Sequence, residues 1–263
     1  MPRVAKQILI GLIYIGLFFS IGYGVYYLNH KPTCFDGIQN QNEEGLDCGL
    51  VCGNSCRKVL PVQVSSVRLF KIGEGDYDVL AQVYNPNSDL GSPKVDYDLI
   101  FLDSDNTEIS RSSFDFYILP GQTKHIILTS IKSQPDIAMA SIAIKDVTWE
   151  KLNMVNMQSI SFPVKDKQFK DTELGAVVFN DSDFDFDTVD IGVILYDQND
   201  NVIGVNRSNV NTLLSRTDRF FKVLWPKPIV GVFRVDVEPN TNLLSNSNFI
   251  KRYGTDEKFQ EYY

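Results

Sequence analysis

Residue types that carry most enzymatic chemistry are scarce in this chain. Histidine occurs only twice in 263 residues, as His30 and His125, which limits both histidine-based catalysis and zinc binding. The sequence also lacks the G-x-S-x-G motif of hydrolases, the H-E-x-x-H motif of zinc proteases and a glycine-rich phosphate loop. His125 stands in the run H-I-I-L, where a hydrogen-bonded strand histidine is expected rather than a general base. We therefore predict a protein that is not an enzyme.

Positive charge is also scarce. The chain has 33 acidic and 25 basic residues, a formal net charge of −8, and its lysines and arginines form no basic stripe. Surfaces that bind nucleic acid need such a stripe to meet the phosphates, so nucleic acid is not expected as a partner. A hydrophobic content of 43%, with 12% aromatic residues, is enough to build folded cores.

The beginning of the chain contains no acid at all. Residues 8–28 form an uncharged apolar run of 21 residues, and a helix needs about 20 residues to cross a bilayer. Arg3 and Lys6 precede the run, which places the N-terminus in the cytoplasm. The alternative is a cleaved signal peptide, but such peptides have an apolar core of roughly 7–15 residues and a small-residue exit. We predict a single-pass signal anchor in the plasma (inner) membrane, with everything after it extracytoplasmic.

All the cysteines lie just after this run, at Cys34, Cys48, Cys52 and Cys56. An exported location permits disulfides, and four cysteines allow two bridges in three pairings. The long gap between the first two cysteines, together with export, favours disulfides over a zinc site. Because so short a segment cannot build a hydrophobic core, it is predicted to be a stalk module held by covalent staples.

Oxygen-bearing side chains are dense between the first two cysteines. Calcium takes six to eight oxygen ligands, so the segment is a candidate calcium site. The register of an EF-hand is absent, and the alternative is a polar loop closed by disulfides without an ion. The candidate ligands are Asp36, Asn40, Asn42, Glu44 and Asp47.

The spacing of this segment resembles a short cysteine-rich module of bacterial surface proteins, C-x-D-G-x-x-N-x-x-E-x-G-x-D-C-G-x-x-C. Glu44 stands one place late for that pattern, and Glu43 is the alternative. The resemblance implies a surface location and leaves the role of the module open.

Beyond residue 58 one pattern occurs twice, at an offset of about 95 residues. Each copy has a strand that ends in asparagine (Asn85, Asn180), a loop, a strand that ends in aspartate (Asp103, Asp197), and a turn that contains Asp-Asn. Asp and Asn tolerate the left-handed backbone of tight turns, and alternating apolar residues indicate half-buried antiparallel strands. About seven such strands per copy are typical of an immunoglobulin-like β-sandwich.

The strand that ends in aspartate in each copy resembles a known group of proteins. Residues 193–197 read V-I-L-Y-D and are similar to the FxLYD-type and LEA type 2 β-sandwiches of exported bacterial proteins. The first copy, L-I-F-L-D at residues 99–103, is more divergent. The resemblance implies binding or spacer modules without catalysis, and it identifies no ligand.

An acidic run at residues 181–187 has two interpretations. Asp181, Asp183, Asp185 and Asp187 could surround a cation, or the run is a solvated loop that tucks its two phenylalanines, Phe184 and Phe186, against the sandwich. The second interpretation is the one we expect.

The predicted fold is mainly β, with an N-terminal transmembrane helix, a small disulfide-stapled module and two tandem immunoglobulin-like antiparallel β-sandwiches. The parts in chain order are a cytoplasmic N-terminus (1–7), the anchor (8–28), the cysteine-rich stalk module (29–58), sandwich one (59–150), sandwich two (155–240) and a polar C-terminal tail (241–263). We expect the tail to be partly flexible, and the alternative is an added strand.

The predicted function is non-catalytic. The chain would present its two sandwiches in the cell envelope for adhesion or surface assembly, to a protein or surface-polymer partner. One alternative is an accessory subunit of an envelope enzyme or transport complex. Another is a hydrolase, which a pocket with converging ionisable side chains would favour.

Overall fold

The structure is a computed structural model that describes residues 3–29, 34, 42–45, 47–53, 56, 59–152, 157 and 160–253, with side chains of the first helix up to residue 26. Its contacts divide the chain into two compact units, Met1–Val59 and Leu60–Tyr263. The first unit contains helix α1 (Arg3–Asn29) and a short 3-10 turn (Leu50–Cys52). The second contains twelve strands and a short C-terminal helix within the described residues.

Helix α1 includes the predicted span 8–28. Among the described residues it is the one helix long and apolar enough to cross a membrane, and its large apolar side chains are exposed along its length. A helix that is apolar on all sides needs an apolar environment around it. A signal sequence near an N-terminus has the same properties. The structure therefore shows an apolar helix of membrane-spanning length, and it does not show the orientation of that helix in a membrane.

The strands form four antiparallel three-stranded sheets, with the orders β1-β2-β5, β4-β3-β6, β11-β8-β7 and β10-β9-β12. The prediction of a mainly β protein is confirmed. The bounds are β1 (Gln63–Gly73), β2 (Asp76–Tyr84), β3 (Leu90–Leu102), β4 (Glu108–Ile118), β5 (Thr123–Lys132), β6 (Met139–Lys151), β7 (Val164–Lys170), β8 (Glu173–Phe179), β9 (Phe186–Tyr196), β10 (Val202–Leu213), β11 (Asp218–Leu224) and β12 (Arg234–Asn240).

Each pair of sheets encloses its own core. Strands β1–β6, the first sandwich, bury alternate residues such as Val95, Tyr97 and Leu99 of β3. Strands β7–β12, the second sandwich, bury alternate residues of β9 in the same way. This alternation is the one expected for strands that have a core on one face.

The repeated aspartate has the same role in both sandwiches. The Asp103 Oδ1 accepts the backbone N–H groups of Asp105 and Thr107 at 2.9 and 2.8 Å. The equivalent oxygen of Asp197 accepts two N–H groups of its own turn at 2.8 and 2.9 Å. Each turn has one left-handed residue, Asn106 or Asp200, so the turn chemistry predicted from Asp-Asn is confirmed.

The two sandwiches pack on each other. Leu80 and Ile127 of the first sandwich form a small buried cluster with Ile194 and Val205 of the second. Gly192 lies beside this cluster, and a Cβ atom there would stand 3.3 Å from the Ile127 Cδ1. The close approach of β5 to β9 therefore uses the missing side chain of Gly192.

The first part of the predicted polar tail, residues 241–253, forms helical turns and not an added strand or a flexible end. A 3-10 turn (Leu243–Ser245) and helix α2 (Ser247–Tyr253) follow the last strand. Leu243, Leu244 and Phe249 are buried in the core of the second sandwich. The segment is polar on average, but its few apolar residues are the ones that face the core; residues 254–263 lie outside the described part.

Candidate functional site

The four cysteines form two disulfides, Cys34–Cys52 and Cys48–Cys56. The predicted disulfides are confirmed, and the structure supplies the pairing that the sequence left open. A group of Cys34, Glu43 and Cys52 has the spacing of metal ligands, but its two sulfur atoms are bonded to each other. Thiolate coordination of zinc needs free sulfur, so this group is a staple and not a zinc site.

The candidate calcium ligands are only partly described. Asp36 and Asn40 lie outside the described residues, whereas Asn42 and Asp47 occupy left-handed turn positions. Glu44 accepts the backbone N–H of Leu50 at 3.5 Å, and Glu43 accepts that of Asp47 at 3.3 Å. These carboxylates therefore close turns of the module, and calcium binding stays a prediction.

The acidic run of the second sandwich leads into β9, and one arginine pairs with two of its four aspartates. Arg216 pairs with Asp181 and with Asp183 Oδ1, the latter at 3.0 Å. Phe184 and Phe186 are buried in the second core, so the interpretation of a solvated loop with tucked phenylalanines is confirmed. Asp185 Oδ1 accepts the backbone N–H of Ser215 at 2.7 Å, and Asp187 is exposed.

A cavity of about 380 Å³ lies where the two sandwiches meet. This interface cavity is bounded by the edges of β4 and β5 on one side and by β9, β10 and β12 on the other. Its ionisable lining residues come from five strands: Asp115, Lys124, His125, Asp190, Arg207 and Glu238. Its aromatic and amide lining residues include Tyr97, Phe114, Phe116, Tyr117, Asn240 and Asn242.

Lys124 is the unusual residue of this cavity. It shares the face of β5 that buries Ile126 and Leu128, and it is only 9% exposed. Its ammonium lies 3.0 Å from the ring centroid of Tyr117 and has no hydrogen-bond acceptor or carboxylate partner among the described residues. Burial lowers the pKa of Lys124 from its ordinary 10.5 to about 7, against a smaller raising effect from Asp190.

The tyrosine beneath this ammonium connects it to the second sandwich. The Tyr117 hydroxyl donates to Asp190 Oδ2 at 3.1 Å. Burial first, and the charge of Asp190 second, raise the pKa of Tyr117 far above its ordinary value, so the hydroxyl stays protonated. The ammonium over the ring and the carboxylate bonded to the hydroxyl therefore connect the two sandwiches through Tyr117.

His125 has the structural role expected of it. Its Nδ1 lies 2.9 Å from both carboxylate oxygens of Glu238, across the interface. Ser208 also lines the cavity. It pairs with Ile191 of β9, whose side chain points into the second core, so Ser208 lies on that face of the sheet. Glu238 pairs with Gly192, the next residue of β9, and therefore lies on the opposite face. No serine–histidine–carboxylate relay forms here, although ionisable side chains do converge.

We expect the pH dependence of stability to identify the buried lysine. The pKa of Lys124 is about 7 in the folded state and near its ordinary value of 10.5 in the unfolded state. Between these two pH values the unfolded state therefore binds more protons than the folded state. Stability should therefore rise with pH across this window, by up to about 1.4 kcal/mol per pH unit for one proton. Below pH 7 both states carry the proton, and the cost of burying the charge is constant.

Replacement of the lysine by methionine, Lys124→Met, removes this contribution. The melting temperature of the variant should exceed that of the wild type most at pH 6, and the difference should shrink toward pH 9.5. Lys145→Met, at an exposed lysine of β6, is the matched control. A difference between Lys124→Met and wild type that does not change with pH would contradict the expected burial of charge.

Sequence reasoning selected His125 and passed over the lysine beside it. A signal existed, since Lys124 stands at an apolar position of the alternation K-H-I-I-L. Tyr117, Asp190 and Glu238 gave no local signal, because three separate strands bring them together.

No family model matches the chain, and no curated protein matches it. Among solved structures, it is similar to the transglutaminase of red sea bream, with 14% identity over 72% of this chain and 30% of that one and a TM-score of 0.23. It is also similar to the calcium-binding domain CBD12 of CALX1.1, with 12% identity over 66% of this chain and 80% of that one and a TM-score of 0.20. The chain spans less than a third of the transglutaminase, and TM-scores this low carry no argument about function.

Proposed function

We propose that this protein is a non-catalytic, membrane-anchored binding protein of the cell envelope. Its N-terminus lies in the cytoplasm, and its two sandwiches stand outside the membrane as one packed unit. They present the interface cavity and the surrounding surface to a partner in adhesion or surface assembly. The membership of the FxLYD and LEA type 2 group that the sequence resembles is part of this proposal.

One observation carries the proposal: an apolar helix exposed on all sides is followed in the chain by two disulfides. Disulfides persist in oxidising compartments, so the segment after the helix belongs outside the cytoplasm. Arg3 and Lys6, in the first turns of α1, favour a cytoplasmic location for the other end. Both features agree on one orientation.

The hydrogen bonds inside the cavity are the support for a binding role over the hydrolase alternative. The ionisable groups there meet each other, as His125 meets Glu238 and Tyr117 meets Asp190. The nearby serine faces the second core, and the described cysteines are all in disulfides. A hydroxyl or thiol nucleophile positioned by a base is not present among the described lining residues. The three carboxylates of the cavity are the feature that would favour the hydrolase alternative.

The test is a topology experiment on the full chain in a membrane. We expect the protein to stay in the membrane fraction after alkaline carbonate extraction, because α1 holds it there. Protease added from outside should reach residues 60–253, and maleimide should label the cysteines only after reduction. Labelling of the cysteines without reduction, or release of an uncut chain by carbonate, would contradict the proposal. The double variant Arg3→Glu, Lys6→Glu tests the orientation separately, because it removes the basic residues that favour a cytoplasmic N-terminus.

A further inference from the structure

We propose that the interface cavity binds a carbohydrate, with one sugar ring seated between Phe114, Lys124 and Asn242. The inference deepens the proposed function, on which it rests for the location of the cavity outside the membrane, where surface polymers lie. The argument uses the unmet hydrogen-bonding groups of the cavity, its aromatic wall, its charge and its size.

Two cations line the cavity, one on a buried side chain and one on an exposed side chain. The Lys124 residue is 9% exposed, and its ammonium lies over the Tyr117 ring without an acceptor among the described residues. Arg207, on β10, is exposed, so water meets its guanidinium, and Lys124 is the cation that needs an acceptor. A buried charge without an acceptor is costly, so a ligand that supplies acceptor oxygens is favoured here.

One buried oxygen requires a donor. The side chain of Asn242 is oriented by its Nδ2, which donates to the carbonyl of Pro93 at 3.1 Å. Its Oδ1 is buried and has no hydrogen-bond partner. A ligand that donates as well as accepts is therefore favoured, which a hydroxyl does and a carboxylate does not.

The aromatic wall offers a surface for the apolar face of a sugar. Phe114 is 39% exposed, although it packs against Tyr97 with ring centroids 5.9 Å apart. Phe116 lies on the other side of Tyr97, with centroids 5.5 Å apart. Aromatic faces carry partial negative charge and attract polarised C–H groups, which sugar rings present on one face.

Charge and size narrow the choice of ligand. Three carboxylates, Asp115, Asp190 and Glu238, line the cavity together with its cations, so a multiply charged anion would meet repulsion. The same carboxylates accept hydrogen bonds from hydroxyl groups. The volume of about 380 Å³ lies near the small end of ligand pockets, which span roughly 300–1,000 Å³. A neutral polyhydroxylated ring fits these conditions together.

The experiment is calorimetric titration of the full chain in phospholipid nanodiscs, since many detergents carry sugar headgroups themselves. The probes are glucose, galactose, N-acetylglucosamine and glucuronic acid, with inorganic phosphate as the anion comparison. We expect at least one sugar to bind with a stoichiometry of one. Comparison of glucuronic acid with the neutral sugars shows whether a carboxylate on the sugar ring, which Lys124 could bind, strengthens binding.

The variants locate the site. Phe114→Ala and Lys124→Met should each raise the Kd of that sugar at least tenfold. Lys145→Met and Phe233→Ala, which remove an exposed lysine and an exposed phenylalanine outside the cavity lining, should leave it within twofold. Thermal melting shows whether each variant is folded, and Phe114→Ala keeps the test valid if Lys124→Met does not fold.

Three results would overturn the inference. They are binding of phosphate without any sugar, no binding of any probe by folded wild type, and sugar binding that neither cavity variant changes. None of these results alters the membrane topology, so the proposed function and the ligand class can fail separately.

Discussion

Replacement of Phe249 by alanine is expected to lower the free energy of unfolding by about 3–5 kcal/mol, the usual cost of deleting a buried phenylalanine. Phe249 is 1% exposed and belongs to helix α2, after the last strand. Its ring lies 5.4 Å from that of Phe184 and 5.2 Å from that of Tyr253, centroid to centroid. The substitution would remove one side of this aromatic cluster and leave a cavity in the second core.

The measurement is thermal unfolding followed by tryptophan fluorescence. The chain has two tryptophans, and Trp225 is buried in the second core, so its emission reports on the affected sandwich. For a unit of this size the expected loss corresponds to a fall in Tm of about 6–20 °C. Ser247→Ala on the same helix is the control, because Ser247 is exposed. Equal melting of Phe249→Ala and the control would mean that α2 does not complete the core in solution.

The second large effect is expected at Asn180, the asparagine that directly follows β8. It is fully buried, and its Nδ2 donates to the carbonyls of Phe184 and Leu214 at 2.7 and 3.0 Å. Its Oδ1 accepts the hydroxyl of Ser182 at 2.7 Å. Asn180→Ala leaves these buried groups without partners, and we expect a loss of about 2–4 kcal/mol.

The repeat supplies an internal comparison for this prediction. Asn85 of the first sandwich is also fully buried and donates to the carbonyls of Leu90 and Leu119 at 2.7 and 2.9 Å. Asn85→Ala should therefore cost a similar amount, and the two losses should add, because separate groups are affected. Asn209→Ala, at an exposed position of β10, should change Tm little. A loss below about 0.5 kcal/mol at Asn180 would show that water replaces the amide.

Parts of the fold were predictable because their signals are local in sequence. The apolar run of α1 and the aspartate turns after β3 and β9 depend on neighbouring residues only, and both agree with the structure. The asparagines at the ends of the repeated strands were recognised as a pattern. Spacing alone could not show that these buried asparagines donate hydrogen bonds to carbonyls far away in the sequence, as Asn85 does to Leu119.

Other parts depend on long-range packing and were missed. Helix α2 has few apolar residues and lies in a polar stretch of sequence. Only its contact with the second core shows which of these residues are buried. The interface cavity requires the two sandwiches to meet face to face at Gly192, an arrangement that no motif in either copy encodes. Lys124 is unusual only because that arrangement encloses it.

The position of α2 after the last strand also gives folding a direction along the chain. The buried residues of the first core end at Ala140, whereas the second core is complete only when Phe249 is present. Domains made first during synthesis generally fold first and as units. The first sandwich can therefore close while the apolar strands of the second are still open, and the second must wait until residue 249 has left the ribosome.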